Sequence, residues 1–138
     1  MPKPINFERF KQIADAPDRY EKQLARLRVR VNTESIEKTV AGAMANIKTG
    51  GNSPSLVIFG EPQSGKTEMM ICLTAKLLDE GHPIIVHLMN DSVDLLRQNL
   101  GRFENSSLSP APISLKELLD ASVKTTPNKL VVFCKKKR

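Results

Sequence analysis

Residues 55–67 read SLVIFGEPQSGKT, an apolar run followed by two glycines that frame a short polar loop. The run LVIF at 56–59 shows no polar alternation, the pattern of a strand covered on both faces in a parallel sheet. Gly60, Gly65, Lys66 and Thr67 then satisfy the spacing G-x-x-x-x-G-K-[ST]. Physical chemistry accounts for that spacing. Backbone N–H groups converge on phosphate oxygens only where the chain turns tightly, and glycine permits the turn and the close approach. A helix starting at Lys66 aims its N-terminal dipole at the same anion. The Lys66 ammonium reaches the β- and γ-phosphates, and the Thr67 hydroxyl ligates the Mg²⁺ that bridges them. Chance places this pattern in a chain of this length about once in two hundred. Lys66 and Thr67 are therefore the expected catalytic pair, and Gly60, Glu61, Pro62, Gln63, Ser64, Gly65 and Glu68 complete the expected nucleotide loop. Spacing alone assigns no chemistry to Glu61 or Gln63.

Beyond the loop, KTEMMICLTAKLLDE at 66–80 predicts a helix stopped by Gly81, with Met70, Leu73, Leu77 and Leu78 on its buried face. PIIVHLM at 83–89 is a second apolar strand. Asn90, Asp91 or Ser92 caps the helix VDLLRQNLGRF at 93–103. Ser114 and Glu117 form a capping box for a short helix over 114–123. KLVVFC at 129–134 is a third strand. This alternation predicts an α/β chain, a parallel sheet flanked by helices, with Gly60 at the carboxyl end of the first strand.

Upstream, Pro17 interrupts a charged helical stretch, and the helix restarts near Asp18 with Leu24, Leu27 and Val31 on one stripe. Asn32 or Thr33 caps a second helix whose Ile36, Val40, Ala43, Met44 and Ile47 share a face. Residues 1–31 read as an N-terminal charged helical segment, and 32–138 as the start of the α/β domain.

Lysine and arginine outnumber aspartate and glutamate 21 to 15 over 138 residues, a formal charge of +6. The balance leans toward phosphate-bearing partners, although KKKR at the C-terminus supplies four of the cations. Cys72 and Cys134 lack a nearby partner at metal-ligand spacing and read as free thiols. No secretory signal and no span of membrane length is present in the sequence, so a cytoplasmic protein without membrane contact is expected. His87 reads as a satisfied core histidine, His82 as part of a surface turn, and Met69 and Met70 as packing groups. Hydrolysis calls for an apolar strand that ends in a carboxylate. Asp91 is the one candidate, and it fits a helix cap better. The chain is thus expected to bind a nucleotide more readily than to turn it over.

The stretch GEPQSGKTEMMICLTAKLLDEGHPIIVHLMNDSVDLLRQNLGRF resembles the first motor segment of superfamily 2 helicase-like ATPases. It is closest to the bacterial, endonuclease-associated family of the Z-one domain. The matching pieces are Gln63 to Thr67, Asp79 with Gly81, the strand at 84–88, the stretch from Asp94 to Phe103, and Leu130 to Lys136. The resemblance covers residues 36–136 and implies a RecA-like P-loop fold that binds ATP and Mg²⁺. In that family an acidic strand follows shortly, so the resemblance further implies an incomplete, N-terminal piece of a longer ATPase. The rest of the motor, or a partner chain, would complete it. It implies DNA as partner and places Asn90, Arg97, Gln98 and Arg102 where such motors meet a nucleic-acid backbone. Read from the residues alone, the same helix buries Leu95, Leu96 and Leu100 and leaves its polar side solvated. Tyr20 and Arg19 lie upstream, where such proteins often keep an adenine pocket, without a clear adenine-reading pattern. A stand-alone nucleotide-binding module without hydrolysis is the alternative reading.

Overall fold

The computed structural model describes residues 17–60, 65–90, 92–120 and 129–135. Helix α1 (Arg19–Arg28) begins just after Pro17 and buries Leu24 and Leu27. Val31 falls past its end and is half exposed, so the predicted stripe stops at Leu27. Helix α2 (Glu34–Thr49) opens with the Asn32 carboxamide oxygen accepting the Glu34 N–H at 2.9 Å. The Thr33 hydroxyl donates to Glu37 at 2.9 Å instead of capping the backbone. Val40, Ala43 and Met44 are buried, and Ile36 and Ile47 pack against the same cluster, as the helical spacing predicts.

Helix α3 (Lys66–Asp79) lies at the centre. Its C-terminal end closes as a Schellman turn: His82 N–H reaches Leu77 O at 3.0 Å and Gly81 N–H reaches Leu78 O at 3.2 Å. Gly81 supplies the positive φ of 97° that this turn requires. The most deeply buried residues of α3 are Ile71, Cys72, Thr74, Ala75 and Leu78. This differs from the predicted Met70, Leu73, Leu77 and Leu78 because α3 is covered from two sides. Ile71, Ala75 and Leu78 join a cluster with Phe103, Leu108, Val131 and Phe133 toward the sheet. Cys72 joins Leu24, Leu27, Val40 and Met44 under α1 and α2.

The sheet contains β1 (Ile84–Met89), β2 (Ile113–Ser114) and β3 (Leu130–Lys135), in the order β1–β3–β2 and parallel throughout. Ile84 stands opposite Leu130 and Met89 opposite Lys135. Between the strands run α4 (Val93–Asn105), capped by the Ser92 hydroxyl on Leu95 N–H, and α5 (Leu115–Asp120). The Ser114 hydroxyl accepts from Glu117 N–H at 3.2 Å, half of the predicted capping box. The chain is therefore α/β, a small three-stranded parallel sheet flanked by helices.

Two strand expectations need correction. Residues 56–59 belong to no strand. They run past α2 with Leu56 and Ile58 half-buried and Val57 and Phe59 about nine-tenths exposed. An unbroken apolar run reports hydrophobicity but not a hydrogen-bonding partner, and no described strand lies alongside to pair with it. Strand β1 is also covered on one face only: Ile85, His87 and Met89 face the core, whereas Ile84, Val86 and Leu88 are exposed.

Candidate nucleotide-binding site

Gly65 is the N-cap of α3, with φ 80° and ψ 27°. A residue with a Cβ is strained in this left-handed conformation, so glycine is required for the entry to α3 to take this path. Lys66 and Thr67 follow in the first helical turn, Lys66 exposed and Thr67 half-buried. Both thus sit beside the unpaired N–H groups and positive end of a 14-residue helix. Glu61, Pro62, Gln63 and Ser64 lie outside the described residues, as does Asp91.

A cleft of about 520 Å³ opens onto Gly60, Gly65 and Lys66. Its walls come from Ile36 and Thr39 on α2, Ile58 and Phe59 on the extended segment, and Met69 on α3. The lining is largely apolar and includes the Lys66 ammonium beside a helix N-terminus. That combination suits a ligand with a flat apolar body and an anionic tail.

Glu68 turns away from this cleft to pair with the Arg26 guanidinium of α1. Thr67, the residue expected to ligate Mg²⁺, lies half-buried in the first turn of α3 next to Lys66, which lines the cleft. Strand β1 runs out into Asn90, and β3 ends on Lys135. Among the described residues no group of three His, Cys, Asp or Glu side chains is arranged to hold a metal by itself.

His87 confirms its reading as a core histidine. Its ring stacks on Phe133 at 4.6 Å and meets Phe103 edge-on at 5.1 Å. The Thr74 hydroxyl donates to Met70 O at 2.7 Å, which leaves its oxygen to accept from His87 Nε2 at 3.1 Å. Burial pushes the imidazole down to a pKa of about 4, so it is neutral near pH 7. Arg19 and Tyr20 lie at the far end of α3 from Lys66. Arg19 pairs with Asp79, and the Tyr20 ring sits under the Lys76 ammonium at 5.4 Å.

The four predicted nucleic-acid residues are spread over the end of β1 and α4. Asn90 follows β1, whereas Gln98 and Arg102 share a face of α4, and Arg97 points about 100° away from Gln98. The structure brings Arg102 together with Arg26 of α1 and Arg30 in the turn that follows α1. Sequence reading missed that grouping because more than 70 residues separate Arg30 from Arg102, and each arginine alone looks like a solvated helix face. Among the described residues no helix is long and apolar enough to cross a membrane. Comparison with family models, curated proteins and solved structures finds no match.

Proposed function

We propose that the chain is the ATP-binding segment of a helicase-like ATPase that acts on nucleic acid, with DNA the favoured partner. The observation that carries this reading is the left-handed Gly65 at the head of α3, with Lys66 and Thr67 in the first turn. The nucleoside occupies the apolar cleft between α2 and residues 56–60, and the triphosphate runs onto Gly65 and Lys66. Lys66 offsets charge on the terminal phosphates, and Thr67 completes the shell of a bound Mg²⁺. When bound, Mg²⁺ screens the phosphate charge and orients the γ-phosphate for attack by water.

A second reading, a nucleotide-binding module without hydrolysis, draws on the ends of β1 and β3. Among the described residues these run to Asn90 and Lys135, neither of which is a carboxylate. Titration calorimetry with MgATP tests the shared part of both readings. Lys66→Ala removes a charge-assisted contact of about 2 kcal/mol, so affinity should fall about thirtyfold. Equal affinity in wild type and variant, or no binding by either, refutes the assignment. Phosphate release with and without DNA separates the two readings: stimulation by DNA supports the motor, and background rates in both conditions support the module.

A further inference from the structure

On the other side of Glu68 from the nucleotide cleft, α1, α3 and the end of α4 surround a second cleft of about 490 Å³. It is lined by Arg26, Val29, Arg30, Glu68, Arg102 and Asn105. Three guanidinium groups face one carboxylate, an excess of two positive charges. Glu68 takes Arg26, whereas the side chains of Arg30 and Arg102 have no ion-pair or hydrogen-bond partner among the described residues.

Arg26 is held in place before any ligand arrives. Its Nε donates to Gln23 Oε1 at 2.9 Å, and the buried Gln23 donates in turn to Ser106 O at 3.0 Å. A guanidinium fixed in this way loses little freedom when it accepts an anion.

We propose that this cleft binds the phosphodiester backbone of a nucleic-acid strand. The assignment rests on the nucleic-acid part of the function proposed above and gives that part a location. Like charges of this density favour a polyanion. The lining holds no aromatic ring on which a base could stack, so the contacts are to phosphates and are independent of sequence. Gln98, Arg102 and Asn105 fall at i, i+4 and i+7 on the exposed face of α4, a track leading into the cleft and longer than a seat for one small anion needs. Glu68 stands between Lys66 and Met69, which line the nucleotide cleft, so neighbouring residues of α3 line the two clefts. Its carboxylate competes with phosphate for Arg26.

Fluorescence anisotropy of a labelled oligothymidylate, titrated with the full chain over a range of salt concentrations, tests the proposal. Arg30→Glu combined with Arg102→Glu is expected to weaken binding by more than about tenfold and to reduce the salt slope by about two phosphate contacts. Glu68→Gln, which releases Arg26, should tighten binding several-fold. Lys38→Glu combined with Lys116→Glu makes the same charge change away from the cleft and should have a much smaller effect. Equal losses in the two double variants, or unchanged affinity in the arginine pair, overturn the proposal. Displacement of the oligonucleotide by inorganic phosphate at matched concentration also overturns it, in favour of a small-anion site. An oligouridylate arm should bind comparably, because the contacts are to phosphate.

Circular dichroism melts report whether the variants fold, and the single changes Arg30→Gln and Arg102→Gln serve if the reversals do not. ATP titrations on the same preparations keep the two proposals apart. ATP binding without oligonucleotide binding sinks only the second cleft, and the converse sinks only the nucleotide site.

Discussion

His87 sits in a setting that only its neutral form tolerates. Its neighbours are two phenyl rings and the Thr74 hydroxyl, and burial lowers its pKa from 6.5 to about 4. Between those two values the unfolded chain takes up a proton that the folded chain refuses. Stability is therefore full above pH 6.5 and declines as the pH falls toward 4. The gap corresponds to at most about 3 kcal/mol. Urea denaturation at pH 7 and pH 4.5 should show wild type losing about 2 kcal/mol more than His87→Gln over that interval. Equal losses would mean that the imidazole is charged in the native state. This residue was legible in the sequence, since a histidine inside an apolar run must be either neutral or paired. Its partners were not, because Thr74, Phe103 and Phe133 come from three other elements.

Helix α1 is fastened to α3 at two points. Near its start, the Asp79 carboxylate accepts the backbone N–H groups of Arg19 at 3.2 Å and Tyr20 at 2.9 Å, as an N-cap side chain would. Asp18, the residue in the cap position, makes no such bond. Asp79 also faces the Arg19 guanidinium, both side chains being less than one-tenth exposed. Asp79→Ala should cost about 3 kcal/mol, because it removes the cap and leaves a buried cation without its carboxylate. Asp79→Asn, which retains an acceptor, should cost less. Chemical denaturation followed by circular dichroism measures both, and a loss under about 1 kcal/mol for alanine would show that the fastening is idle. The helices themselves were readable from apolar spacing and breakers: Pro17, Gly81, Ser92 and Ser114 mark boundaries close to those observed. Strand pairing was not. The runs 56–59 and 84–89 look alike in composition, yet only the second finds a hydrogen-bonded neighbour, and that depends on residues 130–135 far along the chain.

The assembled sheet leaves apolar surface open. Ile84, Val86 and Leu88 project from one face of β1, whose outer edge pairs with no described strand, and Val57 and Phe59 stand exposed beside the nucleotide cleft. Edge strands with an apolar face readily join other copies. Sedimentation at increasing concentration should show self-association of the chain, and Val86→Lys should shift it toward monomer. A concentration-independent monomer in wild type would refute this. The double fastening of α1 has a further bearing on motion. Arg19 and Arg26 are seven residues apart, about 10 Å along the helix axis, and grip opposite ends of α3. A rod pinned at two separated points can neither pivot nor slide on its support. A tilt of α3 that keeps both pins engaged therefore carries α1 with it as a rigid lever. A dye on Glu21, which lies solvent-facing in the first turn of α1, would register that swing from outside both clefts.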